Sequence, residues 1–148
     1  MFGEAALAAG VQLPGISWDR PVDLSDRAIQ EKLSPVARRA FFALVQHWKL
    51  RDEDARRLLG GLSNGSFYQL KKAARTLDQD KLTRISLLVG IFKALNILYS
   101  AKLADAWVER PNSNSLFVGQ TPLQYMLKGG VPAIMRVRQM LDARRGGL

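Results

Sequence analysis

The chain has 148 residues, 47% of them hydrophobic and none of them cysteine, with 22 Lys and Arg set against 13 Asp and Glu. That length and apolar content suit one ordinary domain or two small helical ones and exclude wholesale disorder, while the missing thiols exclude disulfides, thiolate zinc sites and thiol catalysis and fit a reducing cytoplasm. A formal charge of +9 and a pI near 10.4 point to a polyanionic partner, nucleic acid before acidic protein.

Met1 to Gly10 is mildly apolar and lacks a basic leading stretch, which makes it a poor signal peptide. Through Pro21 the chain mixes Gly, Pro and Trp18 without a period and reads as an arm, with a short helix near Asp23 to Lys32 completing residues 1–33. Ser34-Pro35 then reads as a helix start, serine at the N-cap and proline in the first turn. Val36, Phe41, Leu44, Val45 and Trp48 follow at helical spacing and form an apolar face. Asp52, Glu53 and Asp54 open a second helix, placing negative charge at its positive end. Gly60-Gly61 stops that helix, and Ser63 caps a third that runs through Phe67, Leu70 and Ala74.

Asp78 to Asp80 is a polar break and separates a first domain, 34–78, from a second, 79–148. Leu82, Ile85, Leu88, Val89, Phe92, Leu95 and Leu98 then make a long helix apolar enough to need burial on more than one side. It lies either inside the second half or across a dimer seam, for which Leu88, Phe92 and Leu95 are the candidate residues. The apolar run Ile85 to Leu98 is interrupted by Ser86, Lys93 and Asn96 and falls short of the roughly 18–20 residues of a membrane span, so a soluble, cytoplasmic protein with no membrane partner is expected. A helix near Lys102 to Val108 precedes Pro111 and a polar loop. Thr121-Pro122 caps another that ends at Gly129-Gly130, and Pro132 starts the last, with Ile134, Val137, Met140 and Leu141 inward. No strand pattern or internal repeat appears. The expected fold class is all-α, a helix-turn-helix domain followed by a small helical one.

Three helices from Ser34 to Arg75, the last two joined by a Gly-bearing turn, have the layout of a helix-turn-helix, in which a second helix buttresses a third that enters the major groove. Ala55 is small, as a close helix crossing requires, and Leu58, Leu62, Phe67 and Leu70 fill the wedge. Ser63, Asn64 and Ser66 at the helix start suit phosphates or base edges, Gln69 reaches a base edge, and Lys71, Lys72 and Arg75 suit phosphate contact. Ala55 and Gly60 lie one residue further apart than in the commonest helix-turn-helix.

Nothing in the chain reads as an enzyme. His47, the one histidine, sits on a helix beside Trp48 with no cysteine or acidic cluster nearby in sequence, which favours a packing role over metal or base chemistry. Asp52 to Asp54 answer the helix dipole, Gly60-Gly61 and Gly129-Gly130 end helices, and no phosphate loop, nucleophile elbow or metal-binding pair is present. Trp18, Trp48 and Trp107 are scattered and read as core. Neither cofactor nor metal is expected.

Two stretches resemble the Xre/MbcA/ParS toxin-binding antitoxins. One is Ala55 to Gly60 followed by the Ser/Asn-rich and aromatic Ser63 to Tyr68. The other, more distinctive, is Asn114-x-x-Phe117-x-Gly119-x-Thr121-Pro122-Leu123, then Gly129, Val137-Arg138 and a basic Gly-containing end. The resemblance covers about residues 35–148. It implies a cognate RES-domain toxin that consumes NAD or transfers its ADP-ribose, neutralised by physical blockade. It also implies a homodimer that binds double-stranded operator DNA and represses its own operon.

On that reading the last helix and the tail lie over the toxin's cleft. The residues engaged are Arg136, Arg138, Asp142, Arg144, Arg145, Gly146, Gly147 and Leu148, with the arginines mostly outward. Asp142 or the terminal carboxylate stands in for a phosphate, and the glycines permit close approach of the main chain. Two other readings stay open at the level of sequence. One is a plain transcription regulator whose second half dimerises or senses a ligand. The other is a basic nucleic-acid-associated protein without sequence preference, whose binding would be salt-sensitive and undiscriminating.

Overall fold

Hydrophobic periodicity of the helical kind runs through nearly the whole chain, and the computed structural model, which describes residues 22–146, is correspondingly all-helical. Among the described residues there are six α-helices and no strand: α1 (Arg27–His47), α2 (Asp52–Leu58), α3 (Asn64–Lys72), α4 (Gln79–Leu98), α5 (Ala101–Ala106) and α6 (Pro122–Gly146). Single 3-10 turns, Trp107–Glu109 and Ser115–Phe117, lie between α5 and α6. Most of the arm, residues 1–21 with Trp18, falls outside the described residues, as do Gly147 and Leu148.

The first helix corrects the sequence reading. Ser34-Pro35 does not start it: α1 begins seven residues earlier, where the Asp26 carboxylate accepts the Ala28 N–H at 2.9 Å, and it runs unbroken past Pro35. The separate short helix expected near Asp23 to Lys32 is the first part of this one. Proline removes one N–H donor from the ladder, and the neighbouring serine finds other work. Ser34, 2% exposed, donates its hydroxyl to the Gln30 carbonyl at 2.5 Å and accepts the buried Leu77 N–H at 2.7 Å. The hydroxyl thus ties α1 to the residue that precedes α4. A cap-like dipeptide is here an interior hydrogen-bond bridge.

α4 is the central element. Asp78 caps it, its carboxylate accepting the Lys81 N–H at 2.9 Å. Its residues Leu82, Ile85, Leu88, Ile91, Phe92, Ala94 and Leu95 are all buried, because α1 packs on one side and α6 on another. This corrects the dimer-seam expectation for Leu88, Phe92 and Leu95. Their exposures are 0%, 1% and 0% within the single chain, so a second copy has nothing of them to touch. The apolar residues of α4 are consumed by the chain's own core.

Close approach of α4 and α6 needs a glycine. A Cβ on Gly90 would lie 2.2 Å from the Arg138 guanidinium, which crosses α4 at that point. α6 itself is two helical segments joined at a kink, where Gly130 adopts φ 65°, ψ −151°. Its start is a reciprocal cap: the Thr121 hydroxyl accepts the Gln124 N–H at 3.1 Å and the Gln124 side chain accepts the Thr121 N–H at 3.0 Å. Phe117, fully buried, makes edge-to-face contacts with Trp107 at 5.8 Å and Tyr125 at 5.5 Å, which fixes the connecting loop onto α6.

Candidate nucleic-acid and partner-binding surfaces

α2, its glycine turn and α3 form the candidate nucleic-acid surface. Ala55, 0% exposed, is the contact residue of α2, with Leu58, Leu59, Phe67 and Leu70 buried around it. Gly60 and Gly61 have φ of 94° and 89°, a conformation that side-chain-bearing residues rarely hold, which explains the paired glycines and the longer turn. The Arg56 carbonyl accepts the N–H groups of Gly61 and Leu62, and its guanidinium donates to the Leu62 carbonyl at 3.2 Å. Arg56 therefore wraps the turn from both ends.

Ser63 caps α3, its hydroxyl accepting the Ser66 N–H at 3.1 Å. Phe67 and Leu70 point inward, leaving Asn64, Ser66, Tyr68, Gln69, Lys71 and Lys72 exposed on one continuous surface. The helix ends at Lys72 rather than reaching Ala74, so Arg75 lies in the connection to α4, where its guanidinium donates to the Gln69 side chain at 3.2 Å. The cations are not equivalent. Lys71 pairs with Asp52 at 3.1 Å and sits over the Phe67 ring, while Lys72 rests over Tyr68 at 5.1 Å. Asp52 thus neutralises part of the charge that Lys71 offers to a phosphate, and Lys72 keeps its own.

Two contributors escape the sequence reading. Arg38 of α1 donates to the Leu70 carbonyl at 2.5 Å and to the Lys71 carbonyl, so a cation closes the negative C-terminal end of α3. Its partners lie more than 30 residues away, and no local pattern signals that contact. Tyr68, 56% exposed, is an aromatic ring on the outer face of α3. An aromatic next to the buried Phe67 in a helix must face differently from it, so helical phase alone carried that signal.

In the second half, the candidate partner-binding residues are partly engaged within the chain. Arg136 is exposed, with no ion pair among the described residues. Arg138 is not outward: it lies over Gly90 and donates to the Asp142 carboxylate at 3.1 Å. Arg145 approaches the other Asp142 oxygen at 3.8 Å, and Arg144 donates to the Tyr99 hydroxyl at 3.1 Å. Asp142 is thus held between two guanidinium groups, which leaves its carboxylate a poor stand-in for a phosphate. Gly146 is exposed at the end of α6. Gly147 and Leu148 lie outside the described residues.

His47 has an acidic neighbour after all, supplied by tertiary structure. Its Nδ1 lies 3.1 Å from Asp105 and its ring edge contacts Phe92 at 5.0 Å, so it joins α1 to α5. No group of three His, Cys, Asp or Glu side chains able to hold a metal occurs among the described residues. No helix of the described residues is long and apolar enough to cross a membrane.

Comparison with known proteins accords with this two-part surface. Residues 27–90 match the model of the antitoxin Xre-like helix-turn-helix domain, and residues 94–147 match that of the antitoxin Xre/MbcA/ParS C-terminal toxin-binding domain. The chain belongs to the Xre/MbcA/ParS antitoxin family. The antitoxin is also 41% identical over 128 residues to uncharacterized protein y4oB of Sinorhizobium fredii, a match covering 86% of this chain and 98% of that one. No solved structure matches it. The two matched segments meet between residues 90 and 94, inside α4. The antitoxin's helix-turn-helix and toxin-binding segments therefore share one helix as a common core.

Proposed function

We propose that this antitoxin neutralises a RES-domain, NAD-consuming toxin of a type II system by covering its active site with the second half, and that it represses its own operon through α3. The observation that supports this most is the joining, through α4, of an exposed polar α3 surface to a segment matching the toxin-binding domain. On this reading both surfaces act by contact with a partner. The sequence-stretch Asn114 to Leu123 and the basic end of α6 supply the likeness to antitoxins of RES-domain partners.

The physical course is as follows. α3 enters the major groove with Asn64, Ser66 and Gln69 toward base edges, while Lys72 and Arg75 contact phosphates and Arg38 holds the helix in place from behind. The C-terminal segment of α6 lies against the rim of the toxin's cleft, with Arg136 and Arg145 pairing with rim carboxylates. A homodimer presents two copies of α3 to a two-fold operator; its seam lies away from Leu88, Phe92 and Leu95, and the assembly works in the cytoplasm.

Co-expression with the product of the neighbouring gene, which the proposal requires to be a RES-domain protein, tests it. Cells carrying the toxin alone should stop growing and lose NAD, and cells carrying both should keep growth and NAD. Undiminished toxicity with the antitoxin folded and abundant would refute it. A regulator with no toxin partner would bind its operator and leave growth untouched by the neighbouring gene.

A further inference from the structure

We infer that Val118 is an apolar anchor by which the antitoxin grips its toxin, and that the turn carrying it keeps an unfavourable backbone shape in order to present it. The inference rests on the toxin-binding reading above and adds a residue and a device to it.

Phe117 to Gln120 is a tight turn: the Phe117 carbonyl accepts the Gln120 N–H at 3.0 Å. Val118 has φ 51°, ψ 44° and Gly119 has φ 82°. Positive φ at both central positions is the pattern of a type I′ turn, which Gly, Asn and Asp dominate. Glycine at the second position fits. Valine at the first does not, because a β-branched side chain crowds the backbone in the left-handed region. Lys49 is the only other non-glycine residue of positive φ among those described. Its case is ordinary: it closes α1, with the Leu50 N–H returned to the Val45 carbonyl at 3.0 Å. Val118 follows only the single 3-10 turn Ser115–Phe117, returning its N–H to the Ser115 carbonyl at 3.3 Å, and no α-helix ends there.

The side chain gains nothing from its own fold. Val118 is 81% exposed, the most exposed of the large apolar residues among those described, while Phe117 beside it is fully buried. The turn cannot relax, because both flanks are pinned. Asn114 caps the preceding 3-10 turn by accepting the Leu116 N–H at 2.9 Å, and Thr121 begins the reciprocal cap of α6. Strain that persists in a rigid, over-determined setting is characteristic of sites that bind something else. An exposed, branched, pre-positioned side chain has little rotational freedom left to lose on binding.

The occupant is a toxin surface with an apolar notch beside acidic groups. Val118 falls within residues 94–147, the segment that matches the toxin-binding domain. The Asn114 side chain lies 3.6 Å from the Met140 sulfur, which sets the turn beside α6, and Arg136 stands one helical turn before Met140. Apolar tip and cation together fit an acidic rim. A second copy of this chain would bring its own share of the +9 charge to the same contact, which disfavours self-association there.

The test uses the full antitoxin, the toxin identified by the co-expression experiment above, and the substitutions Val118→Asn and Val118→Ile. Asparagine accepts the left-handed backbone, so Val118→Asn should raise Tm by about 2–5 °C while weakening toxin binding about tenfold or more. Val118→Ile keeps the branched apolar surface and should bind as the wild type does. Gain of stability with loss of affinity is a combination that a merely structural residue would not give. Equal affinity of Val118→Asn and wild type, or a lower Tm for Val118→Asn, overturns the anchor alone. A change in self-association with toxin affinity intact assigns the tip to a second copy and likewise overturns it. Failure of the wild-type chain to bind the toxin overturns the function proposed above, and the anchor with it.

Discussion

Removing the Ser34 hydroxyl should destabilise the whole antitoxin, although Ser34 stands in the middle of a helix where alanine is the better helix former. Ser34→Ala leaves the N–H of Leu77, a residue 3% exposed, without its 2.7 Å acceptor. A buried donor left unpaired costs about 1–3 kcal/mol, and the higher helix propensity of alanine offsets about 0.5 kcal/mol of that. The net loss of about 1.5 kcal/mol corresponds to a fall in Tm of about 3–6 °C for a chain of this size. Ser34→Asp separates this account from the helix-start reading of Ser34-Pro35. Aspartate is a good N-cap and would be tolerated at a helix start, but at a position 2% exposed it buries a charge and should cost more than alanine does. Thermal unfolding followed by circular dichroism measures all three proteins. Ser34→Ala within 1 °C of the wild type, or Ser34→Asp more stable than Ser34→Ala, would refute the reasoning.

Leu88→Asp places an unpaired charge at a position of 0% exposure, at a cost of several kcal/mol, and should abolish cooperative unfolding; a folded, soluble monomer would instead mark α4 as a dimer seam. Lys72→Ala should weaken binding to all DNA sequences alike and lower the salt slope by about 1 in a fluorescence-anisotropy titration, whereas Gln69→Ala should change operator preference; the reverse pattern would contradict the orientation of α3. Burial pushes the Asp78 carboxyl up, but the Lys81 amide and ammonium outweigh it and hold the group below its ordinary value. The folded-state value being depressed, the cap contributes above the unfolded pKa and is lost as pH falls through the folded one. The stability gap between wild type and Asp78→Ala, about 1 kcal/mol at pH 7, should therefore narrow as pH falls below the ordinary carboxylate range, and a gap independent of pH would contradict it.

Helix starts and stops were legible wherever the signal is local. Asp52 to Asp54, Gly60-Gly61, Ser63, Thr121-Pro122 and Gly129-Gly130 all mark helix boundaries or kinks in the structure. Ser34-Pro35 misled because the same dipeptide that caps a helix also fits its interior, once the proline's missing donor is tolerated and the serine hydroxyl finds two partners. Which partner would receive that hydroxyl, 43 residues away, is not written locally. The apolar character of α4 correctly required burial on more than one side. Sequence alone did not distinguish a second copy from α1 and α6 as the covering surface, because both satisfy the same hydrophobic demand.

The polar face of α3 was equally legible, since Phe67 and Leu70 fix its phase. The supports behind it were not: Arg38 reaches α3 from another helix, and the Lys71 to Asp52 pair depends on how α2 crosses it. At the other end, a run of arginines looked like an outward basic tail. Gly90 admits Arg138 and Tyr99 receives Arg144, so two of those cations are half-buried against the chain's own helices instead. Val118 drew no notice because an isolated valine in a polar loop carries no pattern. Its significance lies in a dihedral angle.

The proposed blockade is tested most directly with purified proteins, by titrating the full antitoxin into the product of the neighbouring gene and following NAD consumption. The account requires turnover to fall in proportion to added antitoxin and to vanish at a fixed ratio of the two chains. Full turnover at saturating antitoxin, with the two proteins shown to be bound to one another, would contradict it.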